Sequence, residues 1–478
     1  MCVLTVRTIV GIGVGFAVVA IALGFSVSAT SAQQVPGSRS QITLSFAPVV
    51  KAVAPAVVNI YTKRVVQSRR IPSVFDDPFF RRFFGDAMPN FRRPPREQNS
   101  LGSGVIVRSD GLVVTNAHVI DKADEIRVVL SDKREFDATL VTLDKQTDLA
   151  LLRIDAAGQG LPTLSFGDPD RLEVGDLVLA IGNPFGVGQT VTSGIVSALA
   201  RTNVGISDFG FFIQTDAAIN PGNSGGALVG MDGRLLGVNT AIFSKSGGSI
   251  GIGFAIPVNM VRAVVASADR GGRIVRPWIG AATQPVTNDI AQSIGLARPA
   301  GVMINDLYPG GPADRAGIQV GDVVMAIGGY PIEDEGGLKF RLATLEVNST
   351  ETITVLRGDR RLNLNLGLIA PPENPQRDER TIEGSNPFGG SVVANISPAL
   401  AAEISLDEPT AQGVVVMRVR RRGPAARVGI RPGDIVLSID GQSIRDTRAL
   451  VREMERTRSR WSVKIRRNGE VETINVRS

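Results

Sequence analysis

Residues 220–226 read NPGNSGG, one serine closely followed by two glycines, and the only histidine of the 478-residue chain, His118, stands upstream in TNAHVI (115–120). A serine hydroxyl is a weak nucleophile at neutral pH. Acyl transfer therefore needs a base within hydrogen-bond reach, a carboxylate to orient that base, and donors aimed at the developing oxyanion. The turn offers backbone N–H groups from Gly222, Asn223 and Ser224 as such donors, and Gly225 and Gly226 leave room for chain to pass behind the serine. His118 follows the apolar run GLVVTNA (111–117), which sets it at a turn from strand into helix. Imidazole is the side chain whose ordinary titration range lies nearest neutral pH, so His118 is the candidate base. For the third partner, DKQTDLALLRI (144–154) offers two acids. Asp148 directly precedes an apolar strand, where a buried carboxylate needs hydrogen-bond donors such as the imidazole N–H. Asp144 reads as a solvated turn residue.

Working outward, residues 101 to about 265 hold short apolar or alternating runs broken by Gly and Pro, among them GSGVIV, LALLRI, LVLAIG and GALVG. That spacing predicts an all-β barrel or sandwich, closed by a helix near MVRAVVASADRGG (260–272). Composition agrees: 53 glycines and 5% aromatics suit many strands and tight turns. With 43% hydrophobic and 21% charged residues the chain is too apolar to be mainly disordered. Residues 65–100, rich in Phe, Arg and Pro, break every periodicity. A loop of this length is functional or disordered, and its phenylalanines read either as a collapsed local cluster or as a surface that docks on another subunit.

After Arg276-Pro277 the sequence repeats itself. GPADRAGIQVGDVVMAIGG (311–329) and GPAARVGIRPGDIVLSIDG (423–441) share one frame over nineteen positions, so two copies of one small domain follow the barrel. PPENPQRDERTIEG (371–384) reads as the linker between them. The N-terminus joins Arg7 to an apolar run ending at Val27 and to small residues at Thr30-Ser31-Ala32. This predicts an export signal over 1–32, cleaved before Gln33, or retained as a membrane anchor since the run is long. The one cysteine, Cys2, lies in that leader, so no disulfide is expected.

The net charge of +6 and pI near 9.7 come from arginines scattered at 81–82, 92–96 and 418–422 without a nucleic-acid reading module. They read as a solvated surface or as contacts to anionic lipid or acidic protein, with no nucleic-acid partner expected. No G-x-x-x-x-G-K-[ST] occurs, and one histidine with one leader cysteine cannot make the usual zinc set. Neither nucleotide, metal nor other cofactor is expected.

The words TNAHVI, TDLALL and GNSGGAL in a chymotrypsin-like order, with the repeat behind them, resemble the HtrA/Deg family of exported serine proteases of the Do type. The resemblance implies a mainly β fold: a trypsin-like double β-barrel protease domain over 43–268 with a regulatory loop about 65–100, then PDZ1 over 276–370 and PDZ2 over 385–478. It implies a catalytic set of His118, Asp148 and Ser224, and a specificity pocket at Ile219, Ile242 and Ile252. Regulatory loops would hold Phe185 and Arg201. In PDZ1 a peptide carboxylate would be held by Trp278, Ile279, Gly280 and Ala281, with core packing as the other reading of Trp278. In PDZ2 the matching stretch is expected at Gly389-Gly390-Ser391-Val392, with subunit contacts as the other reading of that domain. By resemblance the protein is a periplasmic, ATP-independent endopeptidase, a homotrimer able to form larger cages, cutting unfolded polypeptides after small aliphatic residues. A chaperone or PDZ scaffold is the alternative main role.

Overall fold

The computed structural model describes residues 45–64, 98–183, 188–201, 210–220, 222–242, 249–404, 406 and 411–477. The leader, nearly all of the Phe-rich loop, and Phe185 lie outside the described residues. Arg201 ends one strand and Ile242 another, but their side chains also lie outside what is described.

Twelve strands close into two six-stranded barrels. The first holds β1 (Val57–Arg64), β2 (Gln98–Arg108), β3 (Leu112–Asn116), β4 (Glu125–Val129), β5 (Glu135–Asp144) and β6 (Leu149–Ile154) in the order β1-β2-β3-β6-β5-β4. The second holds β7 (Leu177–Gly182), β8 (Thr190–Arg201), β9 (Phe212–Thr215), β10 (Ala227–Gly230), β11 (Leu235–Ile242) and β12 (Gly253–Pro257) in the order β10-β11-β12-β9-β8-β7.

The apolar runs that carry no alternation now have a cause. Successive strand residues face opposite ways, and here both directions meet a core. Along β3, Leu112 and Val114 enter one cluster and Val113 another; along β6, Leu149 and Leu151 part from Ala150 and Leu152 in the same way. On the second barrel, Leu179 and Ile181 of β7 join the first of these clusters, while Val178 and Ala180 fill a third. Each barrel thus has its own interior, and a shared core lies between them. Burying a Val or Leu side chain contributes about 1.5–3 kcal/mol, so these strands hold the barrels together as well as filling them. Helix Val258–Val265 adds Val258, Met260, Val261 and Val264 to the shared core.

The two repeats form two further sheets. The first has β13 (Ala281–Pro285), β14 (Val302–Leu307), β15 (Val323–Ile327), β17 (Thr350–Arg357) and β18 (Arg360–Gly367) in that spatial order, with β16 (Tyr330–Pro331) paired to β15. The second has β19 (Arg380–Ile382), β20 (Ser391–Asn395), β21 (Val414–Val419), β22 (Ile435–Ile439), β24 (Arg460–Arg467) and β25 (Glu470–Arg477), with β23 (Gln442–Ser443) paired to β22. The repeat frame recurs down to its caps. Asp334 and Asp446 each accept an N–H of the first turn of a helix, Glu335–Thr344 and Thr447–Met454. Helix Glu335–Thr344 also buries Phe340 and Ala343 in the inter-barrel core, where Phe340 stacks on Phe211 at 3.8 Å, and Arg341 holds Asp170 through two bonds of 2.6 and 2.9 Å.

The expected linker needs correction. Within 371–384, Arg380–Ile382 is a strand, absent from the first sheet, that pairs antiparallel with β20. Three residues in a proline-rich, charged stretch give no periodicity to read. Thr381 and Ile382 are nonetheless β-favouring residues with a free sheet edge beside them.

Candidate active site

Strand register brings the first two candidates together. β3 pairs with β6 with Asn116 opposite Leu149, so the residues just after 116 and just before 149 emerge at the same end of the ladder. There the Asp148 carbonyl accepts the Ala117 N–H at 3.0 Å and the Asn116 side-chain amide at 3.1 Å. Asp148 itself sits at φ 58°, a left-handed conformation that Asp tolerates better than most residues. This turns its side chain back onto the short helix Ala117–Ile120.

Three donors converge on that carboxylate. The His118 backbone N–H reaches Oδ1 at 3.0 Å, His118 Nδ1 lies 3.0 Å from Oδ1 and 2.8 Å from Oδ2, and Thr240 Oγ1 donates to Oδ2 at 2.6 Å. The carboxylate is 6% exposed and the imidazole 7%, and burial at that level would be costly for an unbonded carboxylate. An ionised carboxylate only accepts, so Nδ1 carries the ring proton and Nε2 is left as the basic nitrogen.

Ser224 comes from the other barrel, on the turn between β9 and β10. Its Oγ donates to the Thr240 carbonyl at 3.1 Å. Thr240 therefore touches both Asp148 and Ser224, one through its hydroxyl and the other through its carbonyl. It is the extra residue of a β-bulge: Asn239 and Ala241 of β11 pair with the consecutive residues Ala255 and Phe254 of β12, which leaves Thr240 unpaired and re-aimed.

The glycines answer to close approach. A Cβ on Gly225, at φ 82°, would lie 2.0 Å from the Ser103 carbonyl oxygen, and one on Gly226 would lie 2.2 Å from that of Ile181. Between them the two positions let β2 of one barrel and β7 of the other pass directly behind the serine. Ser103 grips the turn further: its N–H donates to the Ser224 carbonyl at 2.8 Å, and its Oγ donates to the Gly222 carbonyl at 2.5 Å while accepting the Asn183 N–H at 2.8 Å.

Of the three expected oxyanion amides, Asn223 needs correction. Its N–H closes the turn onto the Asn220 carbonyl at 2.9 Å, so it does not face a substrate. The amides of Gly222, at φ 100°, and Ser224 donate to no group among the described residues. Asp144 is also corrected, from solvated to buried: it is 5% exposed, accepts from Thr147 at 2.5 Å and pairs with Arg276. Of the pocket candidates, Ile219 is buried in the second barrel's interior against Gly253, whereas Ile252 is half-buried on the inter-barrel core.

In the first repeat, the Ile279 carbonyl accepts from Ala313 N–H and the Gly280 carbonyl from Tyr308 N–H, both at 2.9 Å. The amides of Ile279 and Gly280 donate to nothing among the described residues. Trp278 is half-buried, its ring set edge-on to Tyr308 with 5.1 Å between the ring centroids, and its buried Nε1 has no hydrogen-bond partner among the described residues. In the second repeat the same bonds run from Ala425 to Gly389 at 3.1 Å and from Arg420 to Gly390 at 2.8 Å. Since 313 aligns with 425, Trp278–Ala281 corresponds to Phe388–Ser391, one residue earlier than the sequence suggested. Thr240 and Ser103 escaped the sequence reading because a small polar residue within a strand carries no motif.

The description "Trypsin-like peptidase domain" fits residues 102–238, and "PDZ domain" fits residues 277–368 and 390–477. A "Probable periplasmic serine endoprotease DegP-like" of Pseudomonas putida (strain W619) is 40% identical over 453 residues, 90% of this chain and 92% of its own. One from Halomonas elongata with the same description is 40% identical over 417 residues, 84% of this chain and 85% of its own. Among solved structures, "HtrA-type protease AlgW with decapeptide" is similar at 46% identity and a TM-score of 0.50, covering 69% of this chain and 100% of that one. The chain belongs to the family of DegP-like periplasmic serine endoproteases of HtrA type, a trypsin-like peptidase domain followed by two PDZ domains.

Proposed function

We propose that the protein is an exported, ATP-independent endopeptidase that degrades unfolded polypeptides, with Ser224 as nucleophile, His118 as general base and Asp148 as the group that orients the imidazole. The observation carrying the reading is the buried chain of contacts from His118 Nδ1 through Asp148 and Thr240 to Ser224. For reaction the Ser224 hydroxyl turns from the Thr240 carbonyl to His118 Nε2. Nε2 takes its proton as Oγ adds to the scissile carbonyl carbon, and the new oxyanion is received by the Gly222 and Ser224 amides. The imidazolium then protonates the leaving amine, and water resolves the acyl-enzyme by the reverse proton path. Asp148 holds the tautomer throughout.

By the family resemblance, a specificity pocket at Ile219, Ile242 and Ile252 favours Val or Ala before the cut. In PDZ1 the two uncommitted amides of Ile279 and Gly280 suit a peptide's terminal carboxylate, its strand adding to β13. The similar AlgW protease, solved with a decapeptide, is consistent with peptide capture in this family. The periplasm is the proposed location, after export by the leader, and a trimer the proposed assembly. The test incubates the purified protein and its Ser224→Ala variant with a reduced, denatured polypeptide and sequences the fragments. Cuts after small aliphatic residues, absent with Ser224→Ala, are expected. Equal fragments from both proteins would refute the mechanism, and cuts after Lys or Arg would refute the pocket.

A further inference from the structure

The two PDZ domains differ at the place where such domains take a peptide. In PDZ1 the outer edge of β13 pairs with no strand among the described residues. In PDZ2 the equivalent edge, β20, is already paired: Arg380, Thr381 and Ile382 lie opposite Val393, Val392 and Ser391. The pairing starts earlier still, because Asn395 N–H donates to the Arg377 carbonyl at 2.7 Å. A ligand strand of a PDZ domain runs antiparallel along this edge and ends with its last side chain in an apolar pocket and its carboxylate on loop amides. β19 reproduces each part. Ile382 is buried in one cluster with Leu450 and Met454 of helix Thr447–Met454, and its carbonyl accepts the Gly390 N–H at 2.7 Å. The Gly389 amide, whose counterpart in PDZ1 is uncommitted, closes onto the Asn386 carbonyl at 3.0 Å. The match to the PDZ family begins only at residue 390, so β19 lies outside the matched domain.

We infer that the peptide groove of PDZ2 is a binding site whose ligand is this chain's own segment 377–382, with Ile382 standing where the last residue of a captured peptide would stand. PDZ2 therefore takes up no free C-terminus while the segment is docked, and peptide capture falls to PDZ1. A segment tethered this close presents itself at an effective concentration on the order of 1 mM, so a free copy at about 50 μM displaces it in about one molecule in twenty. The inference is independent of the catalytic proposal.

The test uses the full chain carrying Ser224→Ala, titrated calorimetrically with the synthetic peptide Gln-Arg-Asp-Glu-Arg-Thr-Ile, the sequence of 376–382 with a free terminal carboxylate. Ile382→Asp, which puts a charge in the apolar pocket, and Thr381→Pro, which breaks the pairing without touching the core, are each titrated beside it. Each folded variant should bind one more peptide per chain than the parent, with at least about tenfold gain at that site. A parent that already fills both PDZ domains at equal affinity overturns the inference, and so does a folded variant that gains no site. Should both variants unfold PDZ2, hydrogen exchange of the unaltered full chain decides. Protection of 380–382 comparable to β22 supports the inference, and exchange at the rate of an exposed linker overturns it.

Discussion

Thr240 gives the sharpest test of how the site works. Thr240→Val keeps the shape of the side chain and deletes only the hydroxyl that donates to Asp148 Oδ2 at 2.6 Å. The carboxylate then retains its two bonds from His118, and Oδ2 keeps only the ring nitrogen at 2.8 Å. A hydrogen bond to a charged, buried group contributes about 1.5–3 kcal/mol. If that contribution acts by holding Asp148 against the imidazolium that forms in the transition state, kcat falls about 10- to 150-fold. This lies below the roughly 10⁴-fold loss that follows when the orienting acid itself is disabled. KM should stay within about twofold, because Thr240 Oγ1 faces the carboxylate rather than the substrate, and Thr240→Ser should recover most of the rate. The assay is steady-state cleavage of an internally quenched peptide with Val before the scissile bond, rates being normalised to folded protein by near-ultraviolet circular dichroism. A folded Thr240→Val protein with kcat within twofold of the parent would refute the assignment of Thr240 as the residue that steadies Asp148.

Other outcomes follow from neighbouring contacts. Ser103→Ala leaves the Gly222 carbonyl and the Asn183 amide buried without their partner, at about 1–3 kcal/mol each. Chemical denaturation should show the loss, and kcat should fall with KM little changed. Gly225→Ala sets a methyl 2.0 Å from the Ser103 carbonyl oxygen at φ 82°, so it should abolish both activity and the cooperative unfolding transition of the protease domain. Arg380 and Thr447 hold the Asp378 carboxyl below the usual carboxylate range. A depressed carboxyl stabilises the folded form above its unfolded value of about 3.9 and loses that contribution as pH falls through the lower folded value. Hydrogen-exchange protection factors of 380–382 should therefore hold constant from about pH 7 to pH 4.5 and decline only below the unfolded value.

The legible part of this molecule was the part written in short words or in repetition. His118 and Asp148 could be paired from sequence because each abuts a strong apolar strand, and strand register does the rest. The repeat fixed the two PDZ domains because Gly-Asp turns and aspartate caps recur at a constant offset. The partners of Asp144 were not legible. Its burial depends on Arg276, which lies 132 residues away and meets it only after the domains fold. Thr240 acts through a bulge, which is a property of pairing with β12 rather than of the residue. Asn223 looked like an oxyanion donor because proximity to the serine was all the sequence could offer. Whether its N–H faces outward depends on the Asn220 carbonyl across the turn. The strand at 380–382 was hidden by prolines and charges around it, and only the vacant edge of β20 makes it fold.

Labelling with diisopropyl fluorophosphate probes the pairing of His118 with Ser224 without any substrate, because only a serine activated by a neighbouring base reacts readily with it. One phosphoryl adduct per chain is expected, located by mass spectrometry on Ser224 and lost in both Ser224→Ala and His118→Ala. An adduct elsewhere, or undiminished labelling of Ser224 when His118 is replaced, would contradict the proposed proton path.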